Sequence, residues 1–168
     1  MIMPVLIPIR LPTQGLPFWR QWLRWCTAVR SWQLAEDWRC CHQGRVFVIP
    51  SGFVFDGASF PRGLWRGLSP TGLLLVPGIV HDFAYRYDYI WALDDAHHIV
   101  KADEGAGKKH WDRLFYQVGR EANGMALIHG LVWGGLALFG GVVWRRCRRT
   151  VAEPLLPKAL VVIDRESR

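Results

Sequence analysis

The run MALIHGLVWGGLALFGGVVW, Met125 to Trp144, constrains this chain more than any other stretch. It holds no formal charge over 20 residues and is followed at once by RRCRR, Arg145 to Arg149. As an α-helix it is about 30 Å long, the thickness of a bilayer's hydrocarbon core. Trp133 and Trp144 are residues of the kind that anchor a helix at the membrane interface, and Arg145, Arg146, Arg148 and Arg149 form a basic flank. Its glycines would each weaken a helix in water by ~1 kcal/mol. In lipid they allow close packing, and Gly130 and Gly134 form a G-x-x-x-G spacing suited to a helix-mediated homo-oligomer. The expectation is a transmembrane helix over 124–144 and a basic tail over 145–168. The competing reading is a glycine-rich core helix of a soluble domain.

Charge supports the membrane reading. The net charge is +7, and its excess lies late: residues 1–123 carry 14 Lys+Arg against 11 Asp+Glu, residues 145–168 carry 7 against 3. A basic cluster just beyond an apolar run suits anionic lipid. Zinc-finger spacing, basic-region heptads and RNA-binding signatures are missing from the sequence, so nucleic acid is not an expected partner. Ten tryptophans fit a chain that meets an interface where the ring is buried and its N–H stays wet. Cys26, Cys40, Cys41 and Cys147 have no spacing that implies a disulfide framework. The positive-inside rule puts the arginine flank in the cytoplasm and the main domain in the periplasm, a single pass through the inner membrane. The first residues, MIMPVLIPIRLP, are too short and proline-broken an apolar stretch for a signal peptide.

Upstream of the apolar run, residues 1–32 read as a proline-punctuated lead-in and an amphipathic helix. Trp19, Trp22, Trp25, Val29 and Trp32 recur at helical spacing, with Arg20 and Arg24 opposite. That helix suits either an interface or a packed core. Residues 33–123 read as a small α+β domain. A hairpin turns through His42-Gln43-Gly44 into RVFVIP, and SGFVFDGASFP alternates as a strand. A helix runs from Pro77 through GIVHDFAYRYDY. The polar stretch 93–110 is expected to be a flexible connection, and Trp111 to Ala122 a helix with Leu114, Phe115 and Val118 on one face. The tail 150–168 is expected to be disordered. The overall expectation is α+β: a small antiparallel sheet or hairpin with packed helices, plus a C-terminal transmembrane helix.

Two stretches carry candidate chemistry. In a helix, His81 and Tyr85 share a face, and Asp82 stands four residues from Arg86, close enough to pair. An imidazole beside a carboxylate can orient a water or bind a divalent cation. It can equally be two polar residues satisfied by the fold. In FVFDGASFPR, Asp56 sits at a strand end, where a carboxylate caps a turn or supplies an oxygen ligand. If that loop folds over the His81 helix, Asp56, Ser59, Arg62, His81, Asp82 and Tyr85 converge. Ser59 lacks a nucleophile elbow. The catalytic candidates are His81, Asp82 and Asp56; the binding candidates are Ser59, Tyr85 and Arg62. No resident cofactor is expected beyond a candidate divalent cation at Asp56, His81 and Asp82.

Together these stretches resemble the "domain of unknown function 1353" family. The matching residues are Ile49, Pro50, Gly52 and Phe53 in the strand, then Asp56, Ala58, Ser59, Phe60, Pro61 and Arg62 at the corner, then His81, Asp82 and Tyr85. WDRLFYQV is similar to the family's A-D-x-x-F helix, with Trp111 at the usually small position, and LALFGGVVW to its closing segment. The resemblance implies a phage or prophage origin and a small α+β domain, without a catalytic role. H-D-x-x-Y is also similar to the catalytic helix of secreted phospholipases A2, but their glycine-rich calcium loop and most of their cysteines are missing here. The functional expectation is an inner-membrane-anchored phage accessory protein acting late, in host envelope disruption, lysis or virion release. Its expected partners are the bacterial inner membrane, the envelope and other phage lysis proteins. The alternatives are a lipid or cell-wall hydrolase working through His81 and Asp82, and a soluble phage assembly component.

Overall fold

The computed structural model describes residues 2–10, 14–27, 31–55, 72–150 and 153–158, the side chains of 24–27 excepted. Its architecture is α+β, as expected. Among the described residues there are seven strands and four helices, and every strand pair is antiparallel.

One sheet is built from β1 (Leu6–Pro8), β2 (Trp32–Leu34) and β5 (Val54–Phe55), in the order β1-β2-β5. Strand β1 of the lead-in is therefore paired into a sheet with β2. Pro8 pairs with Trp32 and Leu6 with Leu34, and the Trp38 indole donates to the Ile2 carbonyl at 2.8 Å. Prolines are tolerated because β1 is an edge strand, where a missing N–H costs no ladder bond.

The other sheet has the order β3-β4-β6-β7. The hairpin of β3 (Trp38–His42) and β4 (Arg45–Ile49) turns at Gln43 and Gly44, both at positive φ (48° and 77°), as a two-residue primed turn requires. Strand β3 alternates strictly: Trp38, Cys40 and His42 are buried, Arg39 and Cys41 exposed. Burial pushes the Cys40 thiol up to about 12, with Cys41 and Glu121 adding to it, so it stays a neutral core group. The stretch 93–110 is not a flexible connection. Ile90–Leu93 (β6) and Ile99–Ala102 (β7) form a second hairpin, with Ile90 opposite Ala102 and Leu93 opposite Ile99. Only residues 103–107 remain as a loop before the next helix.

Helix α1 spans Phe18–Thr27 and ends before Trp32, which belongs to β2. Trp19 and Trp22 of its aromatic stripe are exposed, as is Phe18, so these residues are not core. Helices α2 (Leu75–Tyr87), α3 (Lys108–Asn123) and α4 (Ala126–Arg149) pack on one another. Leu34, Phe53, Phe47, Ile90, Ile79, Phe83, Trp111 and Val118 join both sheets to α2 and α3 in one core. A smaller cluster of Leu74, Phe115 and Val132, with Ile128 and Leu136 against it, ties α3 to α4.

Much of the tryptophan serves this interior. Trp38, Trp91 and Trp111 are buried, and each indole N–H finds an acceptor: the Ile2 carbonyl, the Leu155 carbonyl and Asp88 Oδ1. The contact with Leu155 brings the described part of the tail onto the domain. Residues 153–158 lie along the domain, where the Lys158 N–H donates to Asp37 at 2.6 Å.

Candidate functional site

The polar centre of the molecule lies between the three packed helices. Helix α2 supplies His81 and, one turn later, Tyr85, their rings 3.9 Å apart between centroids. Helix α3 supplies Lys108 and Asp112, also one turn apart. Asp112 is buried, and its carboxylate accepts from three side chains. Oδ1 takes the Tyr85 hydroxyl and His81 Nε2, the latter at 3.3 Å, while Oδ2 takes the Lys108 ammonium at 2.6 Å. A carboxylate this deep is retained only when its lone pairs are occupied. Helix α4 closes the cluster: Lys108 also donates to the Leu136 carbonyl at 2.8 Å. Gly140 lies over Tyr85 and Lys108. A Cβ there would meet the Tyr85 hydroxyl at 2.9 Å and Lys108 Cε at 3.2 Å.

The electrostatics follow from this geometry. Burial favours the neutral His81 ring, but the hydrogen bonds with Asp112 and Asp82 outweigh it and raise its pKa. Burial also opposes the Asp112 charge, and the bonds from His81, Lys108 and Tyr85 reverse that, leaving its pKa lowered. Burial and the neighbouring Asp112 carboxylate push the Tyr85 phenol up, so it remains a donor. With the imidazole protonated, two cations (His81, Lys108) balance two carboxylates (Asp112, Asp82).

Of the sequence candidates, His81 and Tyr85 meet here, and Asp82 stands at the rim. Its carboxylate is 3.8 Å from His81 Nδ1, on the half-exposed side. Asp82 does not pair with Arg86, whose guanidinium lies over the Phe53 ring at 5.0 Å. Asp56, Ser59 and Arg62 lie outside the described residues, so the convergence with the FDGASFPR corner lies outside them too. The candidate cation site needs Asp56. Among the described residues no group of three or more His, Cys, Asp or Glu side chains is placed to hold a metal ion.

The main partner of His81 was missed. Asp112 lies 31 residues away, and its signal was the Lys108–Asp112 spacing of four on a helix, inside the stretch similar to the A-D-x-x-F pattern. The Nε2 of His81 is engaged by Asp112, and the cluster is joined to α4 through the Lys108–Leu136 hydrogen bond.

The expected membrane residues divide by face. Trp144 packs edge-on against Tyr85, ring centroids 5.1 Å apart. Arg148 covers Trp144 and donates to the Tyr85 carbonyl at 2.6 Å, with Asp88 at 3.8 Å. Trp133, Arg145, Arg146 and Arg149 are exposed.

A family model described as "Protein of unknown function (DUF1353)" matches residues 32–135. That is more than half of the chain and includes the first turns of α4. No similar curated protein and no similar solved structure was found.

Proposed function

The chain belongs to the DUF1353 family, whose description carries no activity, and from that premise we propose that it is a membrane-attached accessory protein. Its place of action in this reading is the host inner membrane, late in a phage or prophage cycle, in envelope disruption, lysis or virion release. The observation that carries the attachment is the outward side of α4. Leu127, Leu131, Leu138, Phe139 and Val142 are between 69% and 86% exposed. The helix is 24 residues long with a mean hydropathy of 1.8 in its most apolar window, long and apolar enough to cross a membrane, and only 17% of that window is buried. Apolar surface of that extent marks a docking or lipid-facing region. The late role rests on the family resemblance together with this attachment.

The experiment is fractionation of the protein expressed in bacteria, paired with deletion in a producing lysogen. Recovery in the membrane pellet after high-salt washing, and reduced particle release on deletion, are the expected results. Protein wholly in the supernatant overturns the attachment, and release at the parental level overturns the late role.

A further inference from the structure

We propose that α4 lies in the plane of an anionic membrane, with its outer face in the lipid and its inner face on the domain, so that both ends stay on one side. This rests on the membrane reading above and replaces the single pass that helix length alone suggests.

The inner face is built for docking. His129, Val132, Leu136, Gly140 and Trp144 recur every three or four residues and meet α2 and α3 along nearly the whole helix. Each level has a specific fit. At the start, the His129 ring lies on Gly119 of α3, where any Cβ would collide with the ring, while Asn123 donates to the Leu73 carbonyl beside it. At the middle, Lys108 reaches the Leu136 carbonyl past Gly140. At the end, Arg148 reaches the Tyr85 carbonyl. Two glycines on opposite helices, each admitting a side chain from the other, specify this pairing.

A single span would break it. With α4 across the bilayer, either the Lys108 ammonium and Asp112 carboxylate sit near the hydrocarbon midplane, or all three contacts part. Charges at that depth are costly. The family match, running through residue 135, also counts the first part of α4 as domain. An in-plane helix avoids the conflict, because its apolar side enters only ~5–10 Å.

The occupant is lipid with anionic headgroups. Helix α4 carries no acidic residue, and exposed Arg145, Arg146 and Arg149 lie at its end beside the apolar face. Helix α1 repeats the chemistry: no acidic residue, exposed Phe18, Trp19 and Trp22, and the Arg20 guanidinium over the Trp19 ring at 4.9 Å. Arginine beside exposed aromatics and aliphatics suits a headgroup boundary.

The test adds purified full-length protein to preformed vesicles of phosphatidylglycerol or of phosphatidylcholine. Thiol labelling with a membrane-impermeant reagent then locates the helix ends. Cys26, Cys41 and Cys147 are replaced by serine, buried Cys40 is kept, and a single cysteine is placed by Met125→Cys or Arg149→Cys. The expected result is binding to phosphatidylglycerol vesicles, with both positions labelled without lysis. The double substitution Leu131→Asp and Phe139→Asp should weaken binding by on the order of a hundredfold, with the circular dichroism of the unbound protein unchanged. Binding with one position labelled only after lysis overturns the in-plane arrangement and leaves the membrane reading standing. No binding to either vesicle, with elution as a dimer or as a monomer, overturns both. Equal binding to both lipids overturns the anionic preference.

Discussion

Helices α3 and α4 lie against each other and are built in opposite senses. Helix α3 buries Trp111, Leu114, Phe115 and Val118 and turns Lys109, Arg113, Arg120 and Glu121 outward. That is the ordinary division for a helix between a core and water. Helix α4 buries His129, Val132 and Gly140 and turns leucine, phenylalanine and valine outward. Its inward side is held by the Val132–Phe115 cluster, the Trp144–Tyr85 ring contact, two glycine contacts and side-chain hydrogen bonds to backbone carbonyls. Apolar content therefore does not say which side of a helix faces its own domain. On α4 apolar residues lie on both sides, and Leu127, Leu131, Leu138, Phe139 and Val142 are left uncovered by the domain.

The largest effect expected from breaking this arrangement is at Asp112. Replacing it with alanine leaves the part-buried Lys108 ammonium and the buried His81 ring without their shared carboxylate. Losing one partner of a buried pair costs about 3–5 kcal/mol, or roughly 6–20 °C in melting temperature for a chain of this size. Glu121→Gln, which touches the paired but half-exposed Glu121–His42 contact, is the control, with at most a small change. Equal losses in a thermal melt would remove Asp112 from the centre of the account.

Next comes the glycine contact between the two helices. Gly119→Ala puts a methyl group into the His129 ring, and overpacking of this kind costs about 1–3 kcal/mol. Adding His129→Ala to the same chain should recover part of the loss, because the colliding ring is gone. A double variant no more stable than the single one would show that the clash is not what the first change introduced.

These two sites also mark how far the sequence could be read. The β3–β4 hairpin was legible because Gln43-Gly44 is a turn signal between alternating strands. The α3 face of Leu114, Phe115 and Val118 was legible from periodicity. Strands β6 and β7 were not, because they are four residues each and DDAHH between them is as polar as any flexible loop. Strand β1 was hidden by its prolines, which an edge position tolerates. His81 and Tyr85 were found from their helical spacing. Asp112 was not, since a lone carboxylate in a helix reads as surface and full burial of aspartate is rare without partners. The long apolar helix α4 was legible in length and hydropathy, yet its two sides were not, because the inward side is set by contacts with Gly119, Lys108 and Tyr85 that sequence spacing does not display.

A smaller effect is the pH dependence set by His81. Its pKa in the folded chain is raised above the ordinary histidine value of 6.5 by the hydrogen bonds with Asp112 and Asp82, so the fold holds the proton more tightly than the unfolded chain does. The corresponding stabilisation is complete below about pH 6.5 and is lost as pH rises through the folded-state value. Urea midpoints should therefore decline as pH rises from that region, and His81→Gln should flatten this part of the profile. A midpoint that instead rises with pH over the same interval, and does so in both proteins, would show that His81 carries no excess proton affinity.

The smallest effect on stability is expected where hydropathy alone would place the largest. Leu138 and Phe139 are 79% and 76% exposed and face away from α2 and α3. Replacing both with glutamine removes apolar surface that the folded domain does not bury, so the unfolding free energy in water should change by no more than about 0.5 kcal/mol. The far-ultraviolet circular dichroism should be unchanged, and solubility should rise. A loss of several kcal/mol in dilute solution would mean that protein covers these side chains, and the outer side of α4 would then be an ordinary core face like that of α3.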